Sequence, residues 1–226
     1  VGLFSRLTNA EVQNVHFTAS SVYADQGYGG ILAGYVNATN IRNVSASDPG
    51  MGDGVTVFND GYAGGLIGFA TNENPDFDMK LSGLSSSVDV YGYEDVGGLI
   101  GELENDEGKS ITLSNSFATG NVSYTDEESG VNFGGLIGDL EVYAENNGTT
   151  AAIVIEDSYA AGDVSGFERV AGLVGDVSAS TYDAENSSAS LDIRRTYASG
   201  DVTATYNVAG ALLGELDYNN YAGPNI

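Results

Sequence analysis

Between Ser110 and Leu216 apolar residues recur at two-residue steps and then break at one fixed place. Ile111, Leu113 and Phe117 form one such row, Ile153, Ile155 and Tyr159 the next, and Leu191, Ile193 and Tyr197 a third. Successive side chains on a strand point to opposite sides, so this period predicts strands with one apolar row turned inward. The residue two before each aromatic is polar instead, as Asn115, Asp157 or Arg195, and interrupts every row at the same position. A turn ending in Gly120, Gly162 or Gly200 follows, where a residue without a Cβ can take positive φ, and then Asn or Asp and a Val that opens a second strand.

A second pattern punctuates the first. Two small residues, two apolar residues and Gly occur as GGLIG at Gly64, Gly97 and Gly134, as AGLVG at Ala171, as GALLG at Gly210, and with one extra residue as GGILAG at Gly29. Anchored at Gly2, Gly30, Gly65, Gly98, Gly135, Gly172 and Gly210, this marker recurs at steps of 28, 35, 33, 37, 37 and 38 residues, which makes six repeats. Leu99 and Ile100, like Leu136 and Ile137, are adjacent and both apolar, so the marker predicts a strand covered on both faces, in a central layer. Its glycines admit close approach of another backbone or a ring. The polar stretches ENDEGK, ENNGTT and DAENSS, between a marker and the next strand, predict hairpin turns.

These readings combine into an all-β chain, an elongated, parallel β-helix-like solenoid of about six repeats with hairpin excursions, right-handed on general crossover chirality. It forms a single repeat domain over 1–226, with degenerate repeats over 1–96, well-matched repeats over 97–216 and a short tail over 217–226. Phe117, Tyr159 and Tyr197, with Leu66, Leu99, Leu136 and Leu173, are the expected core ladders. The pattern S-Y-A-x-G-D-V followed by V-G/A-G-L-V/I-G resembles the GLUG repeat, a family carried by large secreted or surface-bound proteins, adhesin-like chains among them. That resemblance implies an extracellular or cell-surface solenoid that spaces or displays other regions and has no catalysis of its own.

Charge narrows the partners. With 32 acidic against 7 basic residues the formal net charge is -25, which repels nucleic acid and anionic membranes and suits a salt-rich, halophilic or calcium-rich setting. No apolar run is long enough for membrane insertion, cysteine is absent, and the first residue is Val, which suggests a processed form or a piece of a longer protein. His16 is the single histidine, so a histidine-ligated zinc site is excluded and any Ser-His-Asp arrangement would have to use that residue. Neither a phosphate loop nor HExxH is present, and the expectation is a non-enzyme with no required cofactor.

The residue after the marker's last Gly is Glu102, Asp139, Asp176 or Glu215 in the last four copies. Stacked repeats would align these as a carboxylate column that binds Ca²⁺ or other cations; a solvated face adapted to salt is the alternative. Sequons at Asn37, Asn43, Asn121, Asn147 and Asn186 mark glycosylation candidates, the last two in predicted hairpin tips. Tyr91, Tyr93, Tyr124, Tyr143, Tyr182 and Tyr206 lie near loops, where rings can stack on glycans or on a neighbouring subunit. The chain starts and stops at nearly the same repeat phase, so its partners are expected to be itself, as a head-to-tail homopolymer, or flanking domains of a larger surface protein. A filament subunit or adhesin stalk is the leading function, and a polysaccharide-binding or polysaccharide-degrading β-helix with a carboxylate groove is the other.

Overall fold

The computed structural model describes residues 1–18, 21–24, 26–47, 56–124, 130–146, 148–181 and 186–220. Every pairing between described strands is parallel, and each strand's partner is the equivalent strand one repeat away. The chain is thus an all-β solenoid whose coils visit three sheets in turn. The first sheet stacks Phe4–Thr8, Ala33–Asn37, Ile67–Thr71, Ile100–Asp106, Ile137–Ala144, Val174–Thr181 and Asp217–Asn220. The second begins with Glu11–Thr18, Asn40–Ser47 and Asp78–Ser86; the later coils split it into pairs such as Ser110–Ser114 with Phe117–Ala118. The third runs through Thr56–Gly64 and Asp89–Gly97 and likewise splits into pairs such as Val122–Tyr124 with Val131–Gly134. A rise of about 4.8 Å per coil makes six coils a rod segment ~30 Å long.

The inside of each sheet is an apolar row repeated in register. Val22, Val57, Val90, Val122, Val164 and Val202 pair successively along the third sheet, and Leu81, Leu113, Ile155 and Ile193 along the second. Burying each such side chain contributes roughly 1.5–3 kcal/mol relative to leaving it in water.

The marker is a corner, and this corrects its reading as a two-sided central strand. The third sheet ends on its first Gly, as Gly97 or Gly134, and the first sheet starts two residues after the second Gly, as Ile100 or Ile137. Leu66, Leu99, Leu136 and Leu173 occupy the bend and are fully buried, as are the next residues, Ile67, Ile100, Ile137 and Val174. Two consecutive apolar residues both face inward because the chain turns between them. Each corner carbonyl holds two donors from the coil before, as Leu136 O does for Leu99 N and Ile100 N at 3.0 and 3.1 Å. The register also removes the apparent insertion in GGILAG. Gly29 pairs with Ala63, so Gly30 takes the first glycine position and Ile31 the second.

In the central coils the second glycine of the marker is required by contact, whereas the copies GGILAG and GALLG place Ile31 and Ala211 there. A Cβ on Gly98 would lie 2.2 Å from the Gly135 carbonyl oxygen of the next coil and 2.9 Å from Cβ of Ala118; on Gly135 it would meet Gly172 O at 2.2 Å and Ala160 Cβ at 2.9 Å. The Ala of the repeated SYA therefore packs against the marker glycine of its own coil across a narrow interior.

That places the aromatics outside, a second correction. Asn14, Asn43, Asn115, Asp157 and Arg195 have φ of 59°, 52°, 51°, 50° and 53°, and Gly83, at the same level of the stack, has 63°. The polar break in each row is a left-handed residue, which Asn, Asp and Gly adopt at least cost. It shifts the inward phase by one, so Ser116 and Ala118 are buried while Phe117, Tyr159 and Tyr197 turn outward. Their rings stack on the outer surface at 5.0 and 4.7 Å, and Tyr197 is 54% exposed.

Hairpins are the third correction. Glu107–Lys109, inside ENDEGK, connects a first-sheet strand to a second-sheet strand, and each flank pairs with its own copy in neighbouring coils. This tip is a corner, and buried amides seal that level of the stack: Asn72 Nδ2 donates to Phe77 O and Ser110 O at 2.8 and 3.1 Å, and Asn105 Nδ2 to Ala152 O at 2.9 Å.

Replacing Gly135 with Val should cost about 3 kcal/mol by overpacking the corner. Urea unfolding followed by circular dichroism measures it, and an unchanged midpoint would contradict the close contact.

Candidate functional site

The residues flanking the marker form two facing columns. One lies at the end of the third sheet and the other, seven residues later, at the start of the first: Tyr28 with Tyr35, Tyr62 with Phe69, Asp95 with Glu102, Asn132 with Asp139, and Arg169 with Asp176. Asp95, Asn132 and Arg169 again hold left-handed φ values of 47°, 62° and 49°. Just beyond, the sheets meet backbone to backbone: a Cβ on Gly138 would sit 2.5 Å from Asp95 C and Val96 N, and one on Gly175 would sit 2.6 Å from Phe133 N. The flanking side chains are crowded into a crevice where Asp95 and Asn132 are 5% exposed, Glu102 7% and Asp139 8%.

Along the crevice the chemistry changes. Tyr28, Tyr35, Tyr62 and Phe69 cluster at one end with centroids 5.2 to 5.9 Å apart, and the Arg6 guanidinium lies 4.2 Å over the Tyr35 ring. At the other end Arg169 donates from Nε to Asn132 Oδ1 at 2.6 Å and forms ion pairs with Asp176 at 3.4 Å and Glu215 at 3.7 Å. Asn132 in turn donates from Nδ2 to Asp95 Oδ1 at 2.7 Å and to Asp139 Oδ2 at 2.9 Å. Between these ends Glu102 Oε2 and Asp139 Oδ1 are buried with no hydrogen-bond partner.

Glu102, Asp139 and Asp176 are register partners, so the carboxylate column exists as an alignment. Its members do not act alike. Arg169 engages Asp176 and Glu215, whereas the carboxylate oxygens that converge are those of Glu102, Glu104 and Glu141, all within 4.8 Å of one another. Glu104 stands two residues after Glu102 on the same strand face and pairs with Glu141 on the next strand. Among the described residues no Lys or Arg forms an ion pair with these three. Sequence reading missed Asp95, Asn132, Arg169, Glu104 and Glu141; the seven-residue spacing across the marker was the signal for the first three.

Burial dominates the protonation of this cluster. It pushes Glu102 up to about 10, with Asp95, Glu141 and Asp139 adding repulsion, and Asp139 up to about 9, with Asp95, Glu141 and Asp176 adding theirs. Asp95 is raised to about 7 by burial, opposed by its Asn132 hydrogen bond, and Glu104 to about 7 by burial and then by Asp106 and Glu141. Glu141 is raised by burial, against a hydrogen bond from Tyr143, and Asp176 is raised by burial, against Arg169.

The other sequence candidates are scattered. His16 is exposed and bonded to Ser45 Oγ at 2.6 Å. Asn37 is buried, donating from Nδ2 to Glu73 Oε2 at 2.7 Å; Asn43 is exposed and donates to Asn14 at 2.7 Å. Asn121 and Asn186 are exposed, and Asn147 lies outside the described residues, as does Tyr182. Tyr206 stacks on Phe167 at 4.9 Å, while Tyr124 meets Phe133 edge-on at 6.3 Å, inside the coil rather than on a shared sugar platform.

A raised carboxylate pKa means that the folded state keeps protons the unfolded chain releases, so the stability it contributes is present below about pH 4 and lost as pH rises through the folded values. In chelator at low salt, the melting temperature should fall between about pH 5 and pH 9, and the Glu102→Gln and Asp139→Asn pair should flatten that slope. Equal slopes in both proteins, followed by thermal melts, would contradict it. Arg169→Ala should cost about 2 kcal/mol in the same melts, because it strips Asn132 and Asp176 of their partner at a partly exposed site.

A family model described as the GLUG motif matches residues 92–123, the coil that holds Asp95, Glu102, the Asn115 kink and Phe117. Halomucin of Haloquadratum walsbyi is 38% identical over 129 residues, covering 54% of this chain and 1% of that protein. An immunoglobulin A1 protease of Streptococcus pneumoniae is 28% identical over 181 residues, covering 77% of this chain and 8% of the protease. The chain therefore spans only a small part of the curated relatives it matches. No solved structure matches it. The matched GLUG motif at 92–123 is one coil of the solenoid, and its corner, kink and valine recur in register in the coils beside it.

Proposed function

We propose that this chain is a non-catalytic stalk segment of a secreted or cell-surface protein, a rigid spacer that stacks end to end with further coils. The observation that carries this reading is that equivalent residues pair in register from coil to coil. Among the described residues Phe4–Thr8 and Asp217–Asn220 pair on one side each, and Leu3, Tyr23, Leu212, Leu216 and Tyr218 are exposed in the first and last described coils. Unpaired edges rimmed with apolar side chains favour continued parallel pairing. The small share of each relative that the chain covers supports a segment within something longer, and both relatives' names are compatible with display outside the cell. A net charge of -25 supports a salt-screened setting, in keeping with the name Halomucin. Non-catalysis is supported by the burial of the crevice and by His16, which among the described residues forms no ion pair with an acid and is bonded to Ser45.

Negative-stain electron microscopy with light-scattering mass at high salt tests the reading. Separate short rods of one chain are the expected result. Long uniform fibres would replace the stalk with a filament subunit, and new reducing ends released from a polysaccharide panel would overturn the non-catalytic reading.

A further inference from the structure

The face of the first sheet carries a group of ligand atoms that the stalk reading does not use. Glu102, Glu104 and Glu141 place carboxylate oxygens within 4.8 Å of one another, no farther apart than two oxygens on opposite sides of one calcium ion at about 2.4 Å from each. Parallel pairing enforces this: Glu104 and Glu141 are opposite each other on adjacent strands, and Glu102 projects from the same face two residues earlier. Three carboxylates so close and so buried cannot all ionise unless something positive sits among them.

The protein has solved the same problem differently one coil on. There Arg169 reaches Asp176 and Glu215, and at the opposite end of the column Arg6 covers Tyr35, where a ring stands in place of a carboxylate. In the middle no basic side chain arrives. Independently of the cluster's composition, Glu102 is nine-tenths buried and its Oε2 has no hydrogen-bond partner, and the adjacent Asp139 Oδ1 is in the same condition. A buried carboxylate oxygen without a donor is costly, and the side chain that carries it is one of the three that converge. Glu141 is further oriented by the Tyr143 hydroxyl, as an outer partner orients a ligand.

We infer that Glu102, Glu104 and Glu141 bind one hard divalent cation, with calcium the best fit. All donors are carboxylate oxygens, with no nitrogen or sulfur, which disfavours zinc and copper, and the partial exposure of Glu104 and Glu141 leaves room for the waters that complete six to eight ligands. The bound ion bridges two successive coils, because Glu102 and Glu104 belong to one and Glu141 to the next.

Isothermal titration of the chelator-treated full chain with CaCl₂ at constant ionic strength tests this. One saturable site per chain is expected, in the roughly 0.1–1 mM range of extracellular modules, with a rise in melting temperature that NaCl of equal ionic strength does not reproduce. The Glu104→Gln and Glu141→Gln pair should weaken binding about tenfold or more, while Glu11→Gln, on the second sheet, should leave it unchanged. The single Glu104→Gln variant serves if the pair does not fold. Absence of saturable binding up to about 10 mM, well above that range, or wild-type binding by the Glu104 and Glu141 variants, overturns the site.

Discussion

Where the chain passes from the third sheet to the first in the central coils, the backbones of successive coils lie so near each other that a Cβ at the second marker glycine would collide with the next coil. A Cβ on Gly98 or Gly135 would come within 2.2 Å of a carbonyl oxygen in the coil above. Much else depends on that contact. It limits the facing position to Ala118 or Ala160, brings both Leu136 and Ile137 inside, and lets the corner carbonyls take two hydrogen bonds each. A larger residue there would separate coils along all three ladders, since strands in register share one rise.

Two recurrent left-handed positions set the rest of the cross-section. The first, at Asn115, Asp157 and Arg195, shifts the strand phase so that an alanine faces the core and an aromatic faces out. The second, at Asp95, Asn132 and Arg169, comes just before the marker and delivers polar side chains into the closing angle between sheets. Because the glycines beyond it let those sheets converge, the carboxylates are buried without belonging to the core. Burial then raises their pKa values, and the raised values couple folding to the ionic surroundings.

Positive charge is scarce and concentrated. Arg194 and Arg195 brace Glu156 and Asp157 on the second sheet, and Arg169 organises the far end of the crevice through Asn132. The middle of the first sheet receives none. In a chain with 32 acidic residues this uneven distribution leaves Glu102, Glu104 and Glu141 uncompensated by the protein itself, while the carboxylates of the next coil are held by a guanidinium. A rod whose stiffness depends on in-register pairing is thereby sensitive to what its solvent contains.

Local repetition was legible in the sequence. The six intervals, the strand period, the all-β class, the alignment of Glu102 with Asp139 and Asp176, and the buried leucines of the marker follow from spacing alone, because stacked coils must repeat their inward residues at the coil length. What pointed outward was not legible. Phe117, Tyr159 and Tyr197 have the character of core residues, and only the left-handed backbone before them, a property of φ rather than of hydrophobicity, turns them to the surface. The polar tips read as hairpins because corners and hairpins use the same turn residues; the choice was made by parallel pairing with neighbouring coils. Nor does spacing along the chain state which carboxylates meet. Glu104 and Glu141 are 37 positions apart and touch only because strand register places them side by side, and Arg169 neutralises one coil rather than another because the tertiary fold aims it there.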